Sequence, residues 1–444
     1  MTDATRLSRR SAALLLPSLA LALGGCSSWF DWLTDEAKKP IPGNREPVLS
    51  PVRGLQIDAV EGVTLPPVET NPDWAQPHRD VTHVGGNLAG GFSKAWSAEI
   101  GKGGDYRTRL TAEPIVAGGR VFTMDSDGRV AAWDIGNGNR IWAQPTKPKH
   151  SRSTNIGGGI AFAGGRIYAA TGLAELVVLD ARSGAVIFRK PLPSPARSAP
   201  TVVDNALYLC TIDQKLVALS ISSGAQLWVY QATKADAGIL ASASPAFSSG
   251  LVVAGFESGD LAALRADTGT LAWSDNLGSL KGSTSLLEFA TVRGAPVIDD
   301  NIVYAIGFGG LMAALDLRTG RRVWERDIAG GNTPWLAGDT LFVITADQRA
   351  AAITKEDGSV HWVTDLPRFR DPKKTKGFIT WAGPVLIGGK LVAVSNNAHM
   401  SVMDPIDGKI VSTTELDEPA SMAPIVAQGM VFILDDDATL PASR

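Results

Sequence analysis

One motif is written eight times along this chain, and that repetition constrains the fold more than any other feature. A string that opens EPIVAGGRVFTMDSDGRVAAWDIGNGNRIW returns in degraded form with its first anchor at Pro114, Ile160, Pro200, Pro245, Pro296, Pro334, Pro384 and Pro424. Twenty-four residues after each of the first seven anchors stands a glycine, at 138, 184, 224, 269, 320, 358 and 408. Twenty-eight residues after the anchor stand Trp142, Phe188, Trp228, Trp273, Trp324, Trp362 and, in the seventh unit, Ser412. The chain has only 12 Trp, so five at one offset mark a genuine repeat.

Each unit reads as four short strands, in the first roughly 114–117, 120–125, 129–134 and 140–145. Their interiors are Val, Ile, Leu, Ala, Phe and Tyr, residues that suit a pleated surface. Gly-rich pairs separate them, and a tight hairpin asks for a positive φ that a Cβ penalises. Four antiparallel strands repeated radially make a β-propeller. A linear solenoid is the alternative, but it would need polar end caps that the sequence does not supply. The eighth unit, from Pro424, stops at Arg444 without its fourth strand. The missing piece stands at the other end, as FSKAWSAEIG from Phe92 to Gly101, with Trp96 in the expected role. The expected fold is therefore all-β, an eight-bladed propeller of four-stranded antiparallel blades over 91–444. Its last blade is completed by residues 94–100, which leaves no open edge between first and last blades. Trp96, Trp142, Phe188, Trp228, Trp273, Trp324 and Trp362 are expected to fill the grooves between neighbouring blades and to give each indole N–H a partner.

The N-terminus reads as an address. TRLSRR at 5–10 precedes an apolar run at 11–25, too short to cross a hydrocarbon core that needs about 20 residues. A positive start, a short apolar middle and a small-residue end describe an export signal. Leu23-Gly24-Gly25-Cys26 fits a lipoprotein signal, with residues 1–25 removed and Cys26 acylated. Ser27 after it suggests transfer to the outer membrane, with the body on the periplasmic face. Prolines at 40, 42, 47, 51, 66, 67 and 72 suggest that 26–90 is a lipid-bearing tether, semi-extended and mostly unpacked, with a reach on the order of 100 Å. Without residues 1–25, 39 basic face 44 acidic residues, a net charge of −5. Such a balance provides no electrostatic footprint for nucleic acid.

Offsets inside a unit are constant, so the varying anchor spacing lies between the fourth strand of one blade and the first of the next. Those connections emerge on one face, and loops on a rigid scaffold are where binding resides. Three stand out: 231–244, 276–295 and 366–383. The second places Leu280, Leu286, Leu287 and Phe289 in a loop, where they either tuck onto the blade or form a partner patch. The third gathers Arg368, Arg370, Lys373, Lys374 and Lys376 against Asp371, a charged solvated loop or a seat for an acidic partner. No catalytic residue, metal ligand set or cofactor site is read from the chain. The five His are scattered, no Gly cluster opens a helix, and Cys210 reads as an inert buried thiol.

Ala314-Leu315-Asp316-Leu317-Arg318-Thr319-Gly320, followed by Trp324, resembles the tryptophan-docking motif of quinoprotein-like propellers. With Cys26, the Pro-rich stretch, Asn71-Pro72-Asp73-Trp74 and the 28-residue anchor-to-Trp interval, the chain resembles the BamB family. Those are lipoprotein subunits of the machine that inserts β-barrels into the bacterial outer membrane. The resemblance implies a non-enzymatic scaffold that binds the central barrel subunit through rim loops, with nascent outer-membrane proteins as a further partner. It maps the contact onto 237–242 and 286–293. Ile239 keeps an apolar character, Leu240 stands where an Arg is expected, and Thr291 and Arg293 stand where acids are expected. The alternatives are a quinone-dependent dehydrogenase and a cell-wall or polysaccharide-binding propeller. The second would draw on Trp335 or Trp381, outside the docking set.

Overall fold

The middle strands of each repeat are nearly continuous apolar runs, as in LVVL at 176–179 or MAAL at 312–315. A strand of that kind must be covered on both faces. The computed structural model satisfies this by standing eight twisted sheets around an axis, so that each middle strand lies between two neighbouring blades. It describes residues 53–444 apart from 59, 61, 106–107, 149–152, 235–242 and 279–290.

All eight blades are four-stranded and antiparallel. The first consists of Ile115–Ala117, Arg120–Met124, Arg129–Asp134 and Arg140–Pro145, counted outward from the axis. The eighth mixes the two ends of the chain. Lys94–Glu99 pairs with Thr439–Ser443, with Trp96 opposite Ala442. Trp96 also packs on Phe432, ring centroids 5.8 Å apart. Beyond the strand ends, Ser93 and Arg444 exchange backbone hydrogen bonds of 3.2 and 2.8 Å where other blades have a covalent hairpin. In the other seven blades the register slips once between the third and outer strands, as at Ala132/Trp133 and Ala314/Leu315. Such a bulge adds local twist. It comes just before the docking position on the outer strand, so it sets the angle at which that side chain leaves its blade.

The expectation that 53–90 belongs to a mostly unpacked tether is corrected by the structure. The segment is extended, but it is part of the disc. Near Arg53 it runs beside the fifth and sixth blades, where Asp58 meets the buried Arg326 at 2.6 Å and accepts from the Val360 N–H at 2.9 Å. Residues 71–90 then go once around the axis, touching the innermost strand of every blade in order. Asn71 O accepts from Gln428 of blade 8, and Trp74 exchanges two 2.8 Å bonds with Val116 of blade 1. Ala75 O accepts from Phe162 of blade 2, and the Gln76 amide bonds both ways to Val202 of blade 3 at 2.8 Å. Val81 O and Thr82 O accept from Phe247 and Ile298 of blades 4 and 5. Gly86 N donates to Leu336 O of blade 6, and Leu88 N to Leu386 O of blade 7. Gly90 bridges to Gly429, back on blade 8. The physical reason is main-chain satisfaction. The innermost strand of a blade has one free edge, and its N–H and C=O groups need partners once water is excluded from the axis.

Candidate functional site

Three places bear on function: the grooves between blades, the loop face, and the axial chamber above the hub segment.

The grooves hold the repeated aromatic residues. Trp96, Trp142, Trp228, Trp273, Trp324 and Trp362 each donate their indole N–H to a backbone carbonyl of the next blade: Ile135, Ala181, Ala266, Leu317, Lys355 and Pro405, at 2.7–3.1 Å. Each ring lies on the hairpin glycine of that blade. A Cβ added to Gly138, Gly184, Gly269, Gly320 or Gly358 would stand only 2.5–2.8 Å from the ring of the preceding blade. These glycines also have φ between 70° and 74°. The spacing read from the sequence accounts for the turn, and the structure adds the ring as a second reason for glycine. Phe188 occupies the same groove against Gly224 without an N–H to donate. Ser412 has a structural explanation. The next blade is the eighth, whose third and fourth strands come from opposite ends of the chain. The hairpin that receives a ring elsewhere is absent there, and all of Ile410–Glu415 is exposed.

The loop face carries the residues expected to bind a partner. Ile239, Leu240, Leu286, Leu287 and Phe289 lie outside the described residues, as does Cys26. Thr291 is wholly buried, its hydroxyl donating to Glu257 O at 3.3 Å and its carbonyl accepting from Phe308 N at 2.8 Å. It has no side-chain surface for a partner, which corrects that expectation. Arg293 faces the axial chamber. The basic loop 366–383 contains a short hairpin, Phe369–Asp371 with Lys376–Phe378, pinned by an edge-on Phe369–Phe378 pair at 5.7 Å. Trp335 and Trp381 are both buried, with N–H groups bonded to Gly86 O and Pro367 O at 2.8 and 2.9 Å. Neither offers the open face that sugar stacking needs. Cys210 is buried as expected, and desolvation pushes its thiol up to about 12.

The chamber is a blind funnel of about 180 Å³ on the axis. Its wall is made by residues just before or at the start of the innermost strands, and every blade contributes. Its floor is the hub segment, through Trp74, Pro77, His78 and His83. Its mouth therefore opens on the loop face. The two imidazoles meet edge to face at 5.1 Å. Burial holds His78 near 3 and His83 near 4, so both are neutral. The Pro296 carbonyl, 2.7 Å from His83 Nδ1, fixes the tautomer with the proton on that nitrogen. Burial also pushes Glu113 up to about 7, although the His78 N–H donates to its Oε2 at 2.9 Å. Sequence reasoning singled out Arg293 and Trp335 for other roles but did not assemble this site. Its polar residues Arg197, His78, His83 and Glu113 belong to no recognisable motif, and only ring closure brings them together with the repeat anchors Pro334, Pro384 and Pro424.

The profile of outer membrane protein assembly factor BamB matches residues 89–157, 148–364 and 370–442, nearly all of the propeller. The chain belongs to the BamB family. Curated BamB proteins of Yersinia pestis and Escherichia coli K12 are 26% and 25% identical over 79% and 78% of this chain, covering 88% and 87% of their own lengths. The crystal structure of BamB from Moraxella catarrhalis superposes with a TM-score of 0.67 at 18% identity, covering 79% of this chain and 99% of that one. The quinohemoprotein alcohol dehydrogenase of Comamonas testosteroni superposes with a TM-score of 0.64 at 12% identity, covering 84% of this chain and 80% of that one. At that identity the likeness is one of fold alone. A blade framework of this kind thus carries both an assembly factor and a dehydrogenase, and the fold by itself does not decide between them.

Proposed function

We propose that this chain is a non-enzymatic scaffold subunit of the outer-membrane β-barrel assembly machinery. It is tethered to the periplasmic face of the outer membrane through acylated Cys26, after removal of residues 1–25. The observation that carries this reading is the BamB match over the propeller, joined to a blade framework whose variation is confined to one face. The loops around 231–244 and 276–295 dock the central barrel-inserting subunit. Ile239, Leu240, Leu286, Leu287 and Phe289 supply apolar anchors of the kind that dominate such contacts. A disc whose sheets are locked to one another presents those loops with little rearrangement. Nascent outer-membrane proteins pairing with an exposed sheet edge are a second, weaker contact of the same scaffold.

The decisive experiment is purification of the full lipoprotein from membranes, with partners identified by mass. The double variant Ile239→Asp/Leu240→Asp should lose most of the barrel subunit while retaining the wild-type circular dichroism spectrum. Unchanged recovery would remove the 231–244 loop from the interface. Crosslinking that never traps nascent barrel chains would remove the second contact. For the dehydrogenase alternative, titration of quinone with Ca²⁺ should leave the protein's absorbance unchanged, and a bound-quinone spectrum would overturn the scaffold reading.

A further inference from the structure

The axial chamber is built like a small-molecule site, and its charge is not balanced. Two arginines line it, Arg197 from the third blade's approach and Arg293 from the fifth's. Among the described residues Arg293 makes no hydrogen bond or ion pair. Arg293 keeps an exposed side chain in the funnel, and desolvation by the surrounding wall lowers its proton affinity. Arg197 has one neutral contact, Nη1 to Ile156 O at 3.3 Å, and its buried Nε has no partner. Glu257 lies near enough to feel the charge of Arg197 but forms no ion pair with it. A cation in a concave, low-dielectric funnel focuses positive potential at the mouth. Guanidinium groups match the planar, two-oxygen geometry of carboxylates and phosphates.

The remaining lining suits an oxyanion. His78 lines the chamber, and among the described residues its imidazole contacts His83 without a hydrogen bond, leaving it able to donate from one nitrogen without bringing a charge. Glu113 is the one carboxyl among the described residues of the lining. With its proton held up to about 7 it is a neutral O–H donor below that value rather than a repelling charge. Trp74 and Trp335, stacked with centroids 6.4 Å apart, close the apolar side. The volume fits a molecule of roughly ten heavy atoms, below the usual range for drug-sized ligands. Residues of the hub segment form the floor, which leaves the loop face as the approach for a ligand.

We propose that this chamber binds a small oxyanion-bearing molecule, a carboxylate or a phosphate, gripped by the guanidiniums of Arg293 and Arg197. The site does not depend on the assembly role. It is tested by calorimetric titration of the full chain with citrate and, separately, with inorganic phosphate. At least one should bind saturably at one site per chain, and which of the two binds tells carboxylate from phosphate. The double variant Arg197→Gln/Arg293→Gln should weaken binding at least about tenfold, whereas Lys373→Gln on the exposed hairpin should not. Absence of saturable binding by both anions, or a smaller loss in the double variant, overturns the site. Should that variant fail to fold, the wild-type protein carries the same test. The indole N–H resonances of Trp74 and Trp335 should move during titration while that of Trp381 stays, and their immobility overturns the proposal.

Discussion

At the perimeter of the disc each blade reaches the next through one aromatic ring set on a glycine turn, a contact repeated from Trp96 to Trp362. At the axis a single run, 71–90, touches all eight blades in succession. The outer contacts join nearest neighbours, and each is separated by about one repeat of sequence. The inner contacts join ends of the chain, as where the Asn71 amide donates to Val426 O at 2.8 Å across 355 residues. The outer contacts resemble those of repeat arrays, in which stability adds up unit by unit. The inner ones make a closed object of the array, since the hub segment finds all its partners only after the ring has formed. The difference also extends to charge. The perimeter contacts are made by rings, including Tyr208 and Tyr304, and backbone carbonyls, whereas the hub holds the buried His83 and the half-buried His78 and leans on Glu113.

Changes at the two places separate these roles, and the largest effect belongs to the hub. Trp74→Ala removes a side chain that is 1% exposed and stacked on Trp335, and should cost about 3–5 kcal/mol in urea unfolding. A loss under about 1 kcal/mol would mean that the hub segment is an appendage of a ring that stands without it.

Acid should act through the hub next. His78 and His83 titrate near 3 and 4 in the folded protein against 6.5 when unfolded, so the unfolded chain takes up protons first. Stability should therefore fall as pH drops from about 6.5 toward 3. Glu113, raised from 4.5 to about 7, works in the opposite direction. Its contribution is full below about 4.5 and lost as pH rises through 7. His78→Gln should flatten the acid-side loss, and Glu113→Gln should remove the opposing slope. Urea midpoints measured from pH 4 to 8 check both, and slopes unchanged in both variants would detach the hub from the pH response.

At the perimeter, Trp273→Phe keeps a ring in the groove, as Phe188 does naturally, but loses the 2.7 Å bond to Leu317 O. A loss of about 1 kcal/mol is expected. A much larger one would show that the hydrogen bond, rather than the ring, locks the blades. The smallest effect is expected for Ser412→Trp. With no hairpin on the eighth blade to receive the ring, the change should leave stability within about 0.5 kcal/mol. A stabilisation above that would reveal an unused groove.

Part of this architecture was legible in the residues. Apolar runs for the middle strands, glycine at a fixed offset and Trp four residues later specify a blade and its neighbour contact locally. The ring closure was legible too, because the eighth repeat lacks a strand that FSKAWSAEIG supplies. Residues 53–90 read as a tether because Pro-rich sequence without periodicity has no local signature of packing. Its partners are main-chain groups on eight different strands, which no side-chain pattern encodes. Thr291 shows the same limit on a smaller scale. Its place in the chain aligned it with a partner surface, and its burial against Glu257 and Phe308 became visible only in three dimensions.

By itself, then, the sequence determined the blade, its turns, its count and its closure, because each rests on contacts within a repeat or between adjacent repeats. The tertiary structure alone decided that the N-terminal run is the hub, and that Arg197, Arg293, His78 and Glu113 converge on one chamber. Those groups are brought together by the closed circle, and a circle is a property of the whole chain, which no single segment of it contains.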